Sequence, residues 1–437
     1  MKTNTAHRFL LLLTLFVALA FQGCIKDKCQ NEYTYYRYEP IYITYEELRS
    51  SVASEAPRAL KNPGKIWFSD NYIFINEKNE GIHVINNVNP SSPINEAFIK
   101  IPGNLDLSVR NNTLYADSYI DLLAIDVTTP NSIAVTKRIE NALPQRGTAG
   151  FSNAWDFAAI DPNGVITDYK KIAVTEAYET DCNGGTTTDG PIMIEDGGFV
   201  NTFDGVSSDN STNSGGDVGN KGGSMARFAM YQNYLYIVDN SFMHLYDISN
   251  ATSPVFSTQI QVGWEIETIF MRGSYIYIGS TSGMHIYDNS SPSNPTWLST
   301  YSHVNSCDPV VVEGNYAYVT LRSGTACDGF TNQLDVVDIS NKTNPTLVAS
   351  YPMSNPHGLG IASGILFICD GADGLKVYDA SNPLTIGDNQ LQHFAGIDAY
   401  DVIPFQKRLF MIGNNGFYQY DYTDPNNLVL LSTISAQ

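Results

Sequence analysis

One short pattern recurs along this chain, and its period constrains the fold more than any other feature. Its clearest copy runs Gly314-Asn315-Tyr316-Ala317-Tyr318-Val319-Thr320 and then Leu334-Asp335-Val336-Val337-Asp338-Ile339-Ser340-Asn341. Aligned on the turn before the alternating strand, the equivalent positions are Tyr72, Thr113, Tyr234, Tyr275, Tyr316, Ile365 and Arg408. Most of the spacings lie near 41 residues. That period suits four-stranded propeller blades and exceeds that of leucine-rich repeats. Each copy reads as four short strands: an apolar run such as Pro309-Val310-Val311-Val312, an alternating strand, a strand ending in aspartate, and a fourth such as Leu347-Val348-Ala349-Ser350-Tyr351.

The ends of the third strands carry the repeat most plainly. They are Ile125-Asp126-Val127, Tyr246-Asp247-Ile248-Ser249, Tyr287-Asp288-Asn289-Ser290, Val337-Asp338-Ile339-Ser340, Tyr378-Asp379-Ala380-Ser381 and Tyr420-Asp421-Tyr422-Thr423, with Ile85-Asn86 in the first copy. Prolines follow most of them. Asp and Asn fold their side chains onto amides two residues on, and proline fixes φ, so these aspartates read as turn-formers, not catalysts.

This pattern resembles the LVIVD-repeat propellers of bacterial cell-envelope lipoproteins. Leu334-Asp335-Val336-Val337-Asp338 and Gly283-Met284-His285-Ile286-Tyr287-Asp288 carry the resemblance. It implies a propeller fold and names no ligand. No Gly-His…Trp-Asp pair marks a WD40 protein.

Thr113 and Tyr234 stand 121 positions apart, enough for eroded blades, yet residues 142–223 contain no Tyr-Asp-Ile-Ser element. The stretch 181–223 is rich in glycine and acids, has Lys221 as its one basic residue, and reads as a mobile loop. The expectation is an all-β, seven-bladed propeller over residues 64–437, with an insertion between blades two and three. Eight blades is the alternative.

The N-terminus reads as an export signal. Lys2 and Arg8 precede an apolar run, Phe9 to Phe21, too short to span a bilayer. Ala20-Phe21-Gln22-Gly23-Cys24 resembles a lipobox, although Phe21 and Gln22 depart from its usual residues. The expectation is that residues 1–23 are removed and Cys24 is lipidated, holding a soluble domain on the outer membrane. An ordinary secreted protein with Cys24 in a disulfide is the alternative. Residues 24–63 then form a tether and an edge strand, in which Tyr33, Tyr35, Tyr36, Tyr38, Tyr42 and Tyr45 favour extended backbone along a blade edge. Cys307 and Cys327 flank the first hairpin of the fifth blade and are expected to pair, whereas Cys369, within a strand, reads as a buried thiol.

The whole chain carries a formal charge of −20. An acidic surface repels nucleic acid and anionic lipid. The residues at the starts of blades two to seven are Asp106, Arg227, Glu267, Asp308, His357 and Asp401. Acids ringing a channel mouth can hold a hard cation such as Ca²⁺. The simpler reading is that each braces the neighbouring blade through backbone amides. Trp264, His303 and Arg322 stand near this ring, with Trp155 and Asn305, and Trp and Arg are common at interfaces. Catalytic motifs are thin: Gly222-Gly223-Ser224-Met225-Ala226 imitates a nucleophile elbow poorly. Asp370-Gly371-Ala372-Asp373-Gly374 lacks the regular acids of a calcium loop and fits a glycine turn. The leading expectation is a binding or scaffold module for an envelope protein. A glycan hydrolase or lyase using the mouth acids, or passive glycan capture, are the alternatives.

Overall fold

A computed structural model describes residues 28–144, 163–181, 208–209, 220–303, 309–323 and 331–437. Seven four-stranded antiparallel blades form a β-propeller, spanning residues 63–100, 107–139, 228–261, 266–302, 310–352, 359–394 and 399–435. The insertion falls between blades two and three, and no eighth blade occurs among the described residues. Cys24, Cys307 and Cys327 lie outside the described residues, as does Asp308.

The period-two strands explain the core. Alternate side chains leave opposite faces of a strand, so each blade buries both faces against its neighbours. Phe270, Tyr277 and Ile286 of blade four, Val311, Val319 and Val336 of blade five, and Leu359 and Ile368 of blade six share one apolar cluster. The aspartates behave as their turns predict. Oδ1 of Asp126, Asp247, Asp288, Asp338, Asp379 and Asp421 accepts the amide two residues on, from Thr128, Ser249, Ser290, Ser340, Ser381 and Thr423. Asn86 does the same for Val88 in blade one. Cys369 is fully buried as a free thiol, and burial pushes its pKa well up.

One repeated feature escaped the linear pattern. In every blade the pairing of the third and fourth strands slips by one residue, so that Glu96, Thr136, Ser257, Leu298, Val348, Leu391 and Leu431 stand opposite no residue of the third strand. A bulge there increases twist and blunts the outer edge against pairing with another chain.

Blade seven takes all four strands from the C-terminal residues 399–435, so no strand is donated across the ring closure. Aromatic packing closes the seam instead: the Phe68 ring of blade one stacks on Phe410 at 5.0 Å and lies 5.1 Å from Phe405. Asn87 and Gln419, both buried, exchange side-chain hydrogen bonds of 2.8 and 3.1 Å. Leu60 bridges Ala436, and Gln437 N donates to Leu60 O at 2.8 Å.

Blade one is widened to six strands. Ala53–Glu55 pairs with its outer strand, and Asn220–Gly222, the end of the insertion, pairs antiparallel with its innermost strand Pro63–Ser69.

A second compact unit contains residues 28–41 and 168–181. These belong to strands Lys28–Thr44 and Gly164–Asp181, which form a two-stranded ribbon. Its tyrosines pair within the ribbon, where composition suggests a blade edge. Tyr33 and Tyr35 stack at 5.7 Å, Tyr178 meets Tyr33 edge-on at 5.6 Å, and both Tyr33 and Tyr35 donate to the Glu176 carboxylate at 2.8 and 3.0 Å. These bonds hold the Glu176 carboxyl below its ordinary pKa.

Candidate functional site

The axis of the propeller is filled by the chain itself. After pairing with blade one, residues 223–226 pass through the channel fully buried, packing against the inner strands of blades four, five and seven. Four blades bond to them. Lys65 Nζ of blade one donates to Met225 O at 3.4 Å, and Ile269 N of blade four donates to Ala226 O at 2.7 Å. Leu359 N of blade six donates to Ser224 Oγ at 2.7 Å, and Ser224 Oγ donates to Asp401 of blade seven at 3.3 Å. The small residues of Gly222-Gly223-Ser224-Met225-Ala226 now have a cause. A Cβ on Gly223 would fall on the Asp401 carboxylate, and one on Gly358 would fall on Asp401 and approach Met225 Sδ at 2.9 Å. Glycine composition reads as a mobile loop up to Gly223, yet the last residues of that stretch are packed. Small side chains serve close approach as well as flexibility.

The residues at the blade starts are engaged with one another and with the axial segment. Asp106 Oδ2 accepts Arg227 N at 2.6 Å, Phe228 N at 3.2 Å and Lys65 Nζ at 3.0 Å. It thereby joins blades one, two and three. Asp401 meets the axial segment as described. Lys65, which sequence reasoning passed over, is buried here. Desolvation lowers its pKa to about 8 although the Asp106 charge opposes that change.

A further group of charged residues gathers about Glu267 and His357. Glu267 opposes the desolvation of both Arg227 and Arg322, and Asp106 and Asp239 also oppose it at Arg227. His357 sits beside Arg322 and Lys78, its ring 5.2 Å from Tyr400 and its Nε2 3.2 Å from Asn355 Nδ2. Burial, then the Arg322 and Lys78 charges, lower the His357 pKa to about 3, so it is neutral at ordinary pH. Lys78 Nζ lies 5.9 Å over the Tyr400 ring. Lys78 follows an irregular loop position with no repeat signature, so nothing in the linear pattern marks it. Among the described residues no group of three or more His, Cys, Asp or Glu is arranged to hold a metal ion.

Trp264 lies three residues before Glu267, and His303 follows the fourth strand of blade four. Trp264 is 74% exposed. It precedes Glu265, whose backbone takes φ 56° and whose carboxylate is held by the Thr281 hydroxyl. A positive φ in a non-glycine residue costs energy and needs surrounding support, so the loop is held, not floppy. His303 lies beside Tyr301, ring centroids 6.1 Å apart, and its charge adds to burial in lowering the pKa of His285.

A second set of acids stands at or near the ends of second strands: Glu77 and Asp117, which carry no linear motif, and Asp370, which reads in sequence as part of a glycine turn. Glu77, Asp117 and Asp370 end or follow second strands and accept backbone amides from the loop that begins their own blade: Lys61 and Asn62, Leu105 and Asp106, Ser354 and Asn355. Glu77 and Asp370 also pair with His83 at 2.9 Å and Lys376 at 2.5 Å. Their recurrence at the end of the second strand was the available signal.

Comparison with known proteins agrees with the repeat reading. The LVIVD repeat matches residues 63–97, 222–262, 267–303 and 306–352, which fall on blades one, three, four and five. Nothing matches among curated proteins. Among solved structures, the periplasmic gluconolactonase of Pseudomonas aeruginosa is similar at TM-score 0.48 and 8% identity, covering 85% of this chain and 96% of its own. BamB from Moraxella catarrhalis gives 0.45 and 8%, covering 80% and 81%. The computationally designed Ika8 protein gives 0.48 and 8%, covering 87% and 90%. At these levels the likeness carries no functional information.

Proposed function

We propose that this LVIVD-repeat propeller is a lipid-anchored binding module outside the cytoplasm, held on the outer membrane through Cys24 and docking an envelope protein. The observation that carries the reading is Trp264, a large aromatic kept exposed on a braced loop. Exposed Trp side chains on ordered backbone are the residues that dominate interface energies. The filled axis supports the same reading, since it leaves faces and loops, not a through-channel, for recognition. Hydrolysis by the mouth acids draws no support from Asp401, which is buried and accepts from Ser224 Oγ of the axial segment. Glycan capture is the second reading, favoured by the Tyr33, Tyr35 and Tyr178 group around Glu176.

The test is crosslinking in intact envelopes, comparing wild type with Trp264→Ala. A defined partner crosslinked by wild type and lost in the variant is expected. An unchanged set of crosslinks removes the Trp264 surface from consideration. Cys24→Ser is expected to leave the membrane fraction or accumulate as precursor; unchanged fractionation would overturn the anchor.

A further inference from the structure

Two tryptophans are exposed on blade four and the loop that leads into it, and one histidine lies between them. Among the described residues Trp264 is 74% exposed and Trp297, on the outer strand of blade four, 59%, whereas Trp67 is buried. Trp297 Nε1 donates to Thr300 Oγ1 at 3.3 Å, and the same oxygen meets His285 Nδ1 at 2.8 Å. On its other side the His285 ring adjoins the Trp264 loop: a Cβ built on Gly263 would stand 3.6 Å from His285 Nε2. One half-buried imidazole thus adjoins the supports of both exposed indoles.

The rest of the loop is bonded to the turns on either side. In blade three, Ser241 O accepts Val262 N at 3.0 Å and Asn240 O accepts Ile266 N at 3.1 Å. Asp239 Oδ1 caps that turn, accepting Ser241 N and Phe242 N at 2.7 Å, while Oδ2 pairs with His244 at 2.6 Å. Burial raises the Asp239 pKa, but the His244 and amide bonds outweigh it and leave the carboxyl below its ordinary value. In blade four, Thr281 N donates to Glu265 O at 3.2 Å, and the Thr281 hydroxyl holds the Glu265 carboxylate. Protonating His244 strengthens its pair with Asp239. His285 differs, because among the described residues no carboxylate is bonded to it. Burial, and then the His303 charge, lower its pKa. Tyr287, two residues along the same strand, stays neutral, since burial pushes its pKa up to about 12. A displaced loop that lets water reach the ring binds the proton better, so falling pH favours displacement, beginning near the ordinary imidazole value of about 6.5.

We infer that His285 is a proton-sensitive support of the Trp264 loop: neutral, it holds the loop in place, and protonated, it lets the loop move and withdraws the docking surface in acid. The consequence for binding rests on the docking reading; the movement of the loop does not.

The experiment is fluorine NMR of the full, detergent-solubilised chain labelled with fluorotryptophan, titrated across the imidazole range. Replacing each Trp by Phe in turn assigns the signals. Those of Trp264 and Trp297 should move together with one midpoint below about 6.5, while that of buried Trp67 stays fixed. His285→Gln should abolish the movement. Thr300→Val should release Trp297 from it and leave Trp264 titrating, so the test stays open if one variant does not fold. His303→Gln should raise the midpoint, because it removes a like charge. Crosslinking in intact envelopes reads the consequence: capture through Trp264 should fall in acid by up to about tenfold per pH unit, the limit for one proton, and persist in His285→Gln. A still Trp264 signal, the same titration in His285→Gln, or capture equal at every pH would overturn the inference. A titration present with no crosslink at any pH would overturn the docking reading instead.

Discussion

The channel and the outer rim invert the usual placement of side chains. Along the axis Lys65, Asp106 and Asp401 are buried, and each is tied to another part of the chain. On the outer strands Val255, Phe256, Trp297, Leu347, Val429 and Leu430 are exposed. The apolar core lies at neither place. It lies between blades, because the faces of a blade point sideways at its neighbours and not inward or outward. Burial in this fold is therefore a matter of which face of a blade a residue occupies. Distance from the axis decides instead which backbone groups need partners, and there the charged side chains supply them.

The sharpest test of that comparison sets the seam against the rim. Phe410→Ala removes a ring buried between blades seven and one and should cost about 3–5 kcal/mol, read from denaturant unfolding. Phe256→Ala, half-exposed on the rim of blade three, should cost far less; a similar loss at both sites would break the contrast. Next in size is the axis. Gly358→Val would force a side chain against Asp401 and Met225 and should cost about 1–3 kcal/mol. An undiminished melting temperature would mean that residues 223–226 do not fill the channel.

His357 gives the third effect. Its pKa of about 3 in the folded chain lies below the ordinary value near 6.5. The unfolded chain therefore takes up a proton first as pH falls, and stability is lost between pH 6.5 and 3. The loss is at most about 1.4 kcal/mol per pH unit. His357→Gln should flatten that part of the profile; an identical slope in the variant would place the acid sensitivity elsewhere. Smaller still are the repeat turns. Asp338→Ala should cost about 1 kcal/mol, while Asp338→Asn, which can still accept from Ser340, should change little. Trp297→Ser on the rim is expected within about 0.5 kcal/mol of wild type.

The blades were legible because their causes are local. Period-two apolar residues, a turn, and an Asp that bonds the amide two residues on are all set within a dozen positions, and they recur. The long gap after blade two was legible as an insertion for the same reason: no Tyr-Asp-Ile-Ser element interrupts it. Where the insertion ends was not legible. Gly222, Gly223 and Ser224 look like loop residues because glycine serves both freedom and tight packing, and only the positions of Asp401 and Gly358, far away in sequence, say which applies. The mouth shows the same limit. Sequence reasoning found Arg322, Glu267 and His357, and gave the ring an acidic character. Lys78, which lies beside His357 and Tyr400, comes from blade one, which meets blade seven only when the ring closes.

The amino-acid sequence by itself determined the blade, its number and its turns, since those interactions join residues close in the chain. The tertiary structure decided what fills the axis and which charged side chains are buried against one another. Those depend on which side chains share a space, and charges separated by hundreds of residues interact only after closure brings them within a few ångströms.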